Sequence, residues 1–354
     1  MLIFAIESSC DETSAAVVEN GRVVLSNVIS SQIGLHRKTG GVVPEVAARQ
    51  HVLNIIPVIE KALDLAKVSF ENISAIAVTE KPGLVGCVLV GLNTAQTLAC
   101  IYNKPLIKVN HIYGHVYANW LIKGKRTKKK EDEFEFPIVV LSVSGGHNDI
   151  ILMREEKGAN LNSRVQDSRV QDSRVQDSRV QDSHIQILGR TLDDAAGEAF
   201  DKVARMIGLD YPGGPSIQKA AVNGNPKAFN FPRSMMKNQD FNFSFAGIKT
   251  AVLYTLRDLN VNEKNISLKL QADIAASFQE AVSDVLISKL LKAAEKYQAK
   301  EVHLTGGVSA NLRLREILQE RLSNQNYKIR WPSDISFCTD NAAMIGAAGY
   351  FVNK

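Results

Sequence analysis

One pattern recurs along this chain and restricts its fold more than any other. A short apolar run gives way to a glycine turn, and the turn to apolar residues at helical spacing. Residues 75–78 (Ala-Ile-Ala-Val) lead into Lys81-Pro-Gly-Leu-Val-Gly86, then into an amphipathic stretch over 88–100, before Pro105 and a second apolar run at 106–109. The pattern returns at 138–143 with Ser144-Gly-Gly146. It returns again at 301–304 with Thr305-Gly-Gly307, followed by a helix predicted from about Asn311. Repeated strand, glycine turn and helix build layered α/β structure, because each such strand needs helices to cover it. The amino terminus reads as strand (2–6), polar loop (7–13) and strand (15–18).

The 354 residues suffice for two domains, and no apolar run approaches the roughly 18 to 20 residues that span a bilayer. The start MLIFAIESS has no basic n-region, so neither a membrane nor a secretory role is expected. Cys10, Cys87, Cys100 and Cys338 form no Cys-x-x-Cys pair, which argues against a disulfide framework or a thiolate zinc site and points to a reducing cytoplasm. The net charge of +5 permits contact with a polyanion without requiring it.

Two segments break the α/β rhythm and read as insertions. Residues 123–135 set a basic run against an acidic one, the pattern of a solvated loop. Residues 163–182 repeat Ser-Arg-Val-Gln-Asp four times. A period of five fits neither helix nor strand, and one Val per repeat builds no core, so this tract is expected to be a passive excursion from a β-hairpin.

His111-Ile-Tyr-Gly-His115 places two imidazoles on one helix face, close enough to share a cation if a carboxylate joins them. A zinc protease would need Glu beside the first His, and position 112 is Ile. The same spacing also serves two hydrogen-bonded core histidines, so spacing alone leaves both readings open. Asp340, just before an apolar helical run at 343–351, is a candidate third ligand, although Asp or Thr there also suits a helix cap. The turns Ser144-Gly-Gly-His147, Pro212-Gly-Gly-Pro215 and Thr305-Gly-Gly307 can aim backbone N–H groups at an anion, which favours a nucleotide site, but neither the P-loop nor the Rossmann fingerprint is present. Asp194, Glu198 and Asp201 are spaced to line one helix face toward a cleft, where carboxylates could accept hydrogen bonds from ribose hydroxyls.

These residues lie within a longer series of blocks. They are Ile6-Glu-Ser-Ser-Cys-Asp-Glu-Thr13, Gly40-Gly-Val-Val-Pro-Glu45, Pro82-Gly-Leu-Val-Gly86, His111-Ile-Tyr-Gly-His115, Ser142-Val-Ser-Gly-Gly-His147, 193–202, Asp210-Tyr-Pro-Gly-Gly-Pro215, Phe243-Ser-Phe-Ala-Gly-Ile-Lys-Thr250, Gly306-Gly-Val-Ser-Ala-Asn311 and Phe337-Cys-Thr-Asp-Asn341. In this order the blocks resemble the bacterial-type tRNA N6-adenosine threonylcarbamoyltransferases, once known as glycoproteases, over nearly the whole chain outside the two insertions. The resemblance implies an α/β fold of the actin/Hsp70 (ASKHA) type, with two ribonuclease-H-like lobes around a nucleotide cleft. The lobes are expected at 1–110 plus 330–354 and at 111–329. It implies one divalent metal, iron or zinc, on His111, His115 and Asp340, and adenylate contacts from Ser142, Val143, Ser144, Gly145, Gly146, Asp201, Gly214 and Asn311.

The implied reaction moves the threonylcarbamoyl group of threonylcarbamoyl-AMP to N6 of adenosine 37 in tRNAs that read codons beginning with A. Glu12 and Asp11 are the candidate catalytic carboxylates. Implied partners are tRNA, an inactive paralogue subunit and a small ATPase. The chain departs from the family pattern at Glu80-Lys81, Asn148-Asp149 and Ala246, and carries Ser142 where archaeal relatives have a metal-binding Tyr. Two other readings compete: an ATP-dependent phosphotransferase of the same fold, and a non-enzymatic adenine-nucleotide-binding scaffold.

Overall fold

The computed structural model describes residues 1–124, 133–155, 184–323 and 325–352. The five-residue repeats and most of the charged loop therefore lie outside the described residues.

The first sheet is built from β1 (Leu2–Glu7), β2 (Glu12–Glu19), β3 (Val23–Ser31), β4 (Ala75–Lys81), β5 (Leu106–Asn110) and the short β6 (Ile122–Lys123), in the order β5-β4-β1-β2-β3-β6. Strands β1, β2 and β3 form an antiparallel meander, while β4 and β5 run parallel to β1. The polar loop is shorter than the sequence suggests, because β2 already begins at Glu12. Between the strands come α1 (Ile33–His36), α2 (Pro44–Ala66) and α3 (Val85–Ile101). Helices α2 and α3 cover one face of this sheet through Phe4, Ile6, Val17, Ile55, Ile59, Ile76 and Ala95. β1 and β4 are buried on both faces, as their uninterrupted apolar runs require.

The second sheet comprises β7 (Ile138–Val143), β8 (Asn148–Met153), β9 (Ile185–Arg190), β10 (Glu301–Thr305) and β11 (Lys328–Arg330), in the order β11-β10-β7-β8-β9. One face packs on α5 (Ala196–Met206), α6 (Gly213–Ala221), α7 (Ala246–Asp258), α8 (Leu268–Lys296) and α9 (Leu312–Leu322), around Phe200, Phe243, Phe278 and Leu286. β8 and β9 pair antiparallel with Met153 opposite Ile185, so the chain leaves and rejoins the sheet at one hairpin end across the repeats.

The two sheets share a single inner layer, α4 (His111–Tyr117) and α10 (Ala342–Val352). α10 is small and apolar, and Ala342 through Gly349 are all buried. Its glycine lets it press on the first sheet: a Cβ on Gly346 would lie 2.8 Å from a methyl of Val18. Gly114 does the same for α4, where a Cβ would lie 2.7 Å from Ile345. This close packing brings α4 and the start of α10 together.

Candidate functional site

Strands β1, β4 and β5 are parallel, so their carboxyl ends open along the same edge and present Glu7, Thr79 and Asn110 there. In parallel sheets that edge is where ligands bind. α4 begins directly after β5, with the Asn110 side chain accepting a hydrogen bond from Ile112 N–H at 2.9 Å. This fixed start sets His111 and His115 one turn apart, with ring centroids separated by 4.7 Å.

Asp340 reaches the pair from the start of α10. Its Oδ1 lies 3.4 Å from His111 Nε2 and 3.2 Å from His115 Nε2. Asp340 does not cap the helix, as the sequence had allowed; Asn341 does, accepting from Met344 N–H at 3.1 Å, while Ser14 Oγ accepts from Ala342 N–H at 2.9 Å. The Asp340 carboxylate therefore remains available. One ligand atom from each of the three residues lies within 4.8 Å of the others.

This donor set fits a cation. His115 Nδ1 is buried without a partner and its Nε2 meets only Asp340, and an unsatisfied buried polar atom costs about 1 to 3 kcal/mol. Two imidazoles and a carboxylate suit zinc or iron alike. Burial pushes the Asp340 carboxyl up, but the charge on His111 and the contacts with both histidines outweigh it and hold the group well below the usual carboxylate range. Burial lowers His111, and the charges of Asp340 and Glu7 reverse this to about 10. His115 is left lowered by burial.

Two residues beside the centre were not assigned a role from sequence. Glu7 is fully buried, and its Oε2 lies 3.0 Å from His111 Nδ1. His147 has its ring 6.0 Å from that of His111 and 5.6 Å from that of His115. Burial, followed by the charges of His115 and His111, holds its imidazole well below its ordinary value. The available signal for Glu7 was a charged residue closing an apolar strand, and for His147 its place in Ser-Gly-Gly-His.

The glycine turns sit at the matching edge of the second sheet. β7 and β10 are parallel, with Ser142 opposite Thr305, so Ser144-Gly-Gly146 and Gly306-Gly307 emerge side by side. Thr305 Oγ1 donates to the carbonyl of His115, which ties this edge to α4. Ser144 Oγ organises its own turn by accepting from the N–H groups of Gly146 and His147, both at 3.3 Å, and it meets His147 Nδ1 at 2.9 Å. Open space surrounds Gly145, Gly146 and Gly214. Val143 is buried, and Ser142 Oγ is buried without a partner. Asn311 caps α9, accepting from Leu314 N–H at 3.1 Å and donating to Gln279 Oε1 at 2.8 Å.

The acidic stripe divides instead of lining one face. Asp194 precedes α5 and pairs with Lys202 and Lys249, and Glu198 also pairs with Lys202, because the helix starts only at Ala196. Asp201 is directed elsewhere: it accepts from Gly213 N–H at 2.6 Å, and burial pushes its carboxyl up to about 6. Glu12 Oε1 accepts from Ser31 Oγ at 2.8 Å while its Oε2 is buried without a partner, and burial pushes this carboxyl up to about 8. Asp11 is likewise raised by burial, and its charge raises Glu12, Asp201 and Tyr211. Arg37 Nε donates to the Tyr211 carbonyl at 3.2 Å and Arg205 to the Gly40 carbonyl, which joins residues 37–40 to residues 205–211.

Similarity to known proteins supplies the family. A family profile described as TsaD: tRNA N6-adenosine threonylcarbamoyltransferase matches residues 23–181 and 173–347. The chain is 49% identical to the tRNA N6-adenosine threonylcarbamoyltransferase of Symbiobacterium thermophilum, covering 99% of this chain and 91% of that one. It is 46% identical to the protein of that name from Thermosipho africanus, covering 100% and 95%. Among solved structures, T. kodakarensis HypF matches with a TM-score of 0.58 at 13% identity, over 99% of this chain and 47% of that one. Component A of the Acidaminococcus fermentans (R)-2-hydroxyglutaryl-CoA dehydratase matches with a TM-score of 0.52 at 14% identity, over 100% and 99%. At these identities the structural likeness establishes the fold alone, an α/β architecture of the actin/Hsp70 type.

Proposed function

The chain belongs to the tRNA N6-adenosine threonylcarbamoyltransferase family, and from that premise we propose how its residues divide the work of the reaction. The protein transfers the threonylcarbamoyl group of threonylcarbamoyl-AMP to N6 of adenosine 37 in tRNA. Family membership disfavours the phosphotransferase and scaffold readings.

Residues 1–110 with 330–354 and 111–329 are taken as two ribonuclease-H-like lobes holding the nucleotide between them, except that β6 (Ile122–Lys123) lies in the first sheet and β11 runs to Arg330 in the second. His111, His115 and Asp340 would hold one divalent ion, iron or zinc, which when bound withdraws charge from the threonylcarbamoyl carbonyl. The Ser144-Gly145-Gly146 turn receives the adenylate phosphate through the Gly145 N–H, the N–H groups of Ser144 and Gly146 being bonded within the turn, with Ser142, Val143 and the open Gly214 shaping the surrounding space. Asp201 accepts from ribose hydroxyls, and Asn311 offers the second N–H of an amide whose first is bonded to Gln279.

The adenosine amine attacks the carbonyl carbon, the bond from that carbon to the phosphate oxygen breaks, and AMP leaves with the electron pair. Glu12 takes the amine proton; its burial and the neighbouring Asp11 charge make it a stronger base than a solvated carboxylate. An activated mixed anhydride leaves positioning as the main source of acceleration, so no Ser or Cys nucleophile is needed. The target adenosine lies in a single-stranded loop, where an unstacked base can enter a cleft. An inactive paralogue and a small ATPase complete the assembly, in the cytoplasm. Among the described residues, no helix is long and apolar enough to cross a membrane.

The convergence of one ligand atom each from His111, His115 and Asp340 within 4.8 Å of one another supports this reading most strongly. The test is transfer from threonylcarbamoyl-AMP to unmodified tRNA, with the helper subunits added, for the wild type and His111→Ala. Loss of transfer in a folded variant is expected; unchanged transfer would remove the metal from the account.

A further inference from the structure

We infer that Glu7 is a positioning residue for the metal centre: it fixes the His111 ring so that a proton-free Nε2 faces the ion. This rests on the metal reading above and extends it to a residue outside the donor set.

The two imidazoles are supported unequally. His111 is held from both sides, with Nδ1 3.0 Å from Glu7 Oε2 and Nε2 3.4 Å from Asp340 Oδ1. His115 has nothing behind it, since its Nδ1 is buried and unpartnered. Glu7 is itself fixed. Thr79 Oγ1 donates to the same Oε2, and Ser9 N–H donates to Oε1. Ser9 Oγ also lies 3.2 Å from His111 Nδ1. All these groups come from the carboxyl ends of β1 and β4, the rigid centre of the first sheet, so the ring inherits the sheet's precision.

An acceptor on the far nitrogen keeps the proton on Nδ1 and leaves the Nε2 lone pair for a cation. Charge points the same way. Glu7 is fully buried and Asp340 only 22% exposed, with His111 between them, so the two carboxylates together offset the charge of a dication at the donor set.

Glu7→Gln separates shape from charge. To keep the Ser9 N–H bond, the Gln must present its oxygen there, which turns its N–H₂ toward His111 Nδ1. The ring then carries its proton on Nε2, against the ion. The full chain, stripped of metal, would be titrated with Zn²⁺ alone by chelator competition and with Co²⁺ alone by visible absorption, alongside His115→Ala. Glu7→Gln is expected to bind both ions roughly 10- to 100-fold more weakly and, at saturation, to shift the Co²⁺ band, with the thermal unfolding of its metal-free form close to wild type.

A Glu7→Gln protein within twofold of wild type and with the same Co²⁺ band, beside a weakened His115→Ala, overturns the role of Glu7 and leaves the metal site standing. Equal binding by wild type and His115→Ala, or none by the wild type, overturns both. Should Glu7→Gln fail to fold, Thr79→Val removes the hydroxyl that donates to Oε2; a smaller loss in the same direction with a shifted band supports the role, and an unchanged band refutes it.

Discussion

Gly306 offers a sharp test of whether the second-sheet turns are built by steric necessity and serve the adenylate. Its backbone sits at φ +84° and ψ 166°, a region that essentially only glycine occupies and that costs other residues about 1 to 3 kcal/mol. A Cβ there would lie 2.4 Å from the Val143 carbonyl oxygen and 2.7 Å from its carbon, both backbone atoms of a strand buried on either side. No rotamer relieves that contact. β7 and β10 must part at Ser142 and Thr305, the last pair of their ladder. The strain and the displacement together place Gly306→Ala on the order of 3 kcal/mol less stable than wild type. Gly307 is the control, because no atom lies within 4 Å of its Cβ position and its φ is not positive. Gly307→Ala should stay within about 0.5 kcal/mol of wild type. Urea unfolding measures stability and calorimetric titration with AMP measures the site. Gly306→Ala should lose both, while Gly307→Ala should keep its stability and bind AMP more weakly, since the added methyl occupies space left for the ligand. A Gly306→Ala protein as stable as wild type would refute the steric account, and AMP binding unaltered in both variants would move the adenylate away from this turn.

The carboxylates give the pH-dependent predictions. Asp201, pushed up to about 6 by burial, is an ionised acceptor only above that pH, so AMP affinity should rise through about pH 6 and lose this inflection in Asp201→Asn; a profile that keeps it assigns the titration elsewhere. Glu12, raised from 4.5 to about 8, favours the folded state while protonated, so its contribution to stability is lost as pH climbs through about 8. Glu12→Gln should therefore resist urea better than wild type at pH 9, and should also lose the rise in transfer rate through about pH 8 that a base in this position requires; a rate equally steep in the variant excludes Glu12. Asn341→Ala removes the cap of α10 beside Asp340 and should cost about 1 kcal/mol while loosening metal retention, which thermal unfolding and metal analysis after dialysis would register together.

What could be read from the chain, and what could not, follows from the range of the forces involved. The strand at Ile138–Val143 and the helix after Asn311 were legible because apolar period and a glycine turn are local signals. The acidic stripe misled because the helix begins at Ala196 and Lys249, far along the chain, draws Asp194 away; a counter-ion 55 residues distant leaves no trace in spacing. Glu7 and His111 are 104 positions apart and meet only because parallel strands share a carboxyl edge, so their pairing is a property of topology. The convergence of His111, His115 and Asp340, in contrast, was recoverable in part, for a physical reason. An ion held between two helices demands that the helices approach closely, and close approach demands small residues. Gly114 lies between the two histidines, and the helix after Asp340 is rich in Ala and Gly, so the packing that delivers the carboxylate is written beside each of the three residues. The composition of α4 and α10 thus carries their close approach, which makes Gly114 and Gly346 as much a part of the arrangement as His111, His115 and Asp340.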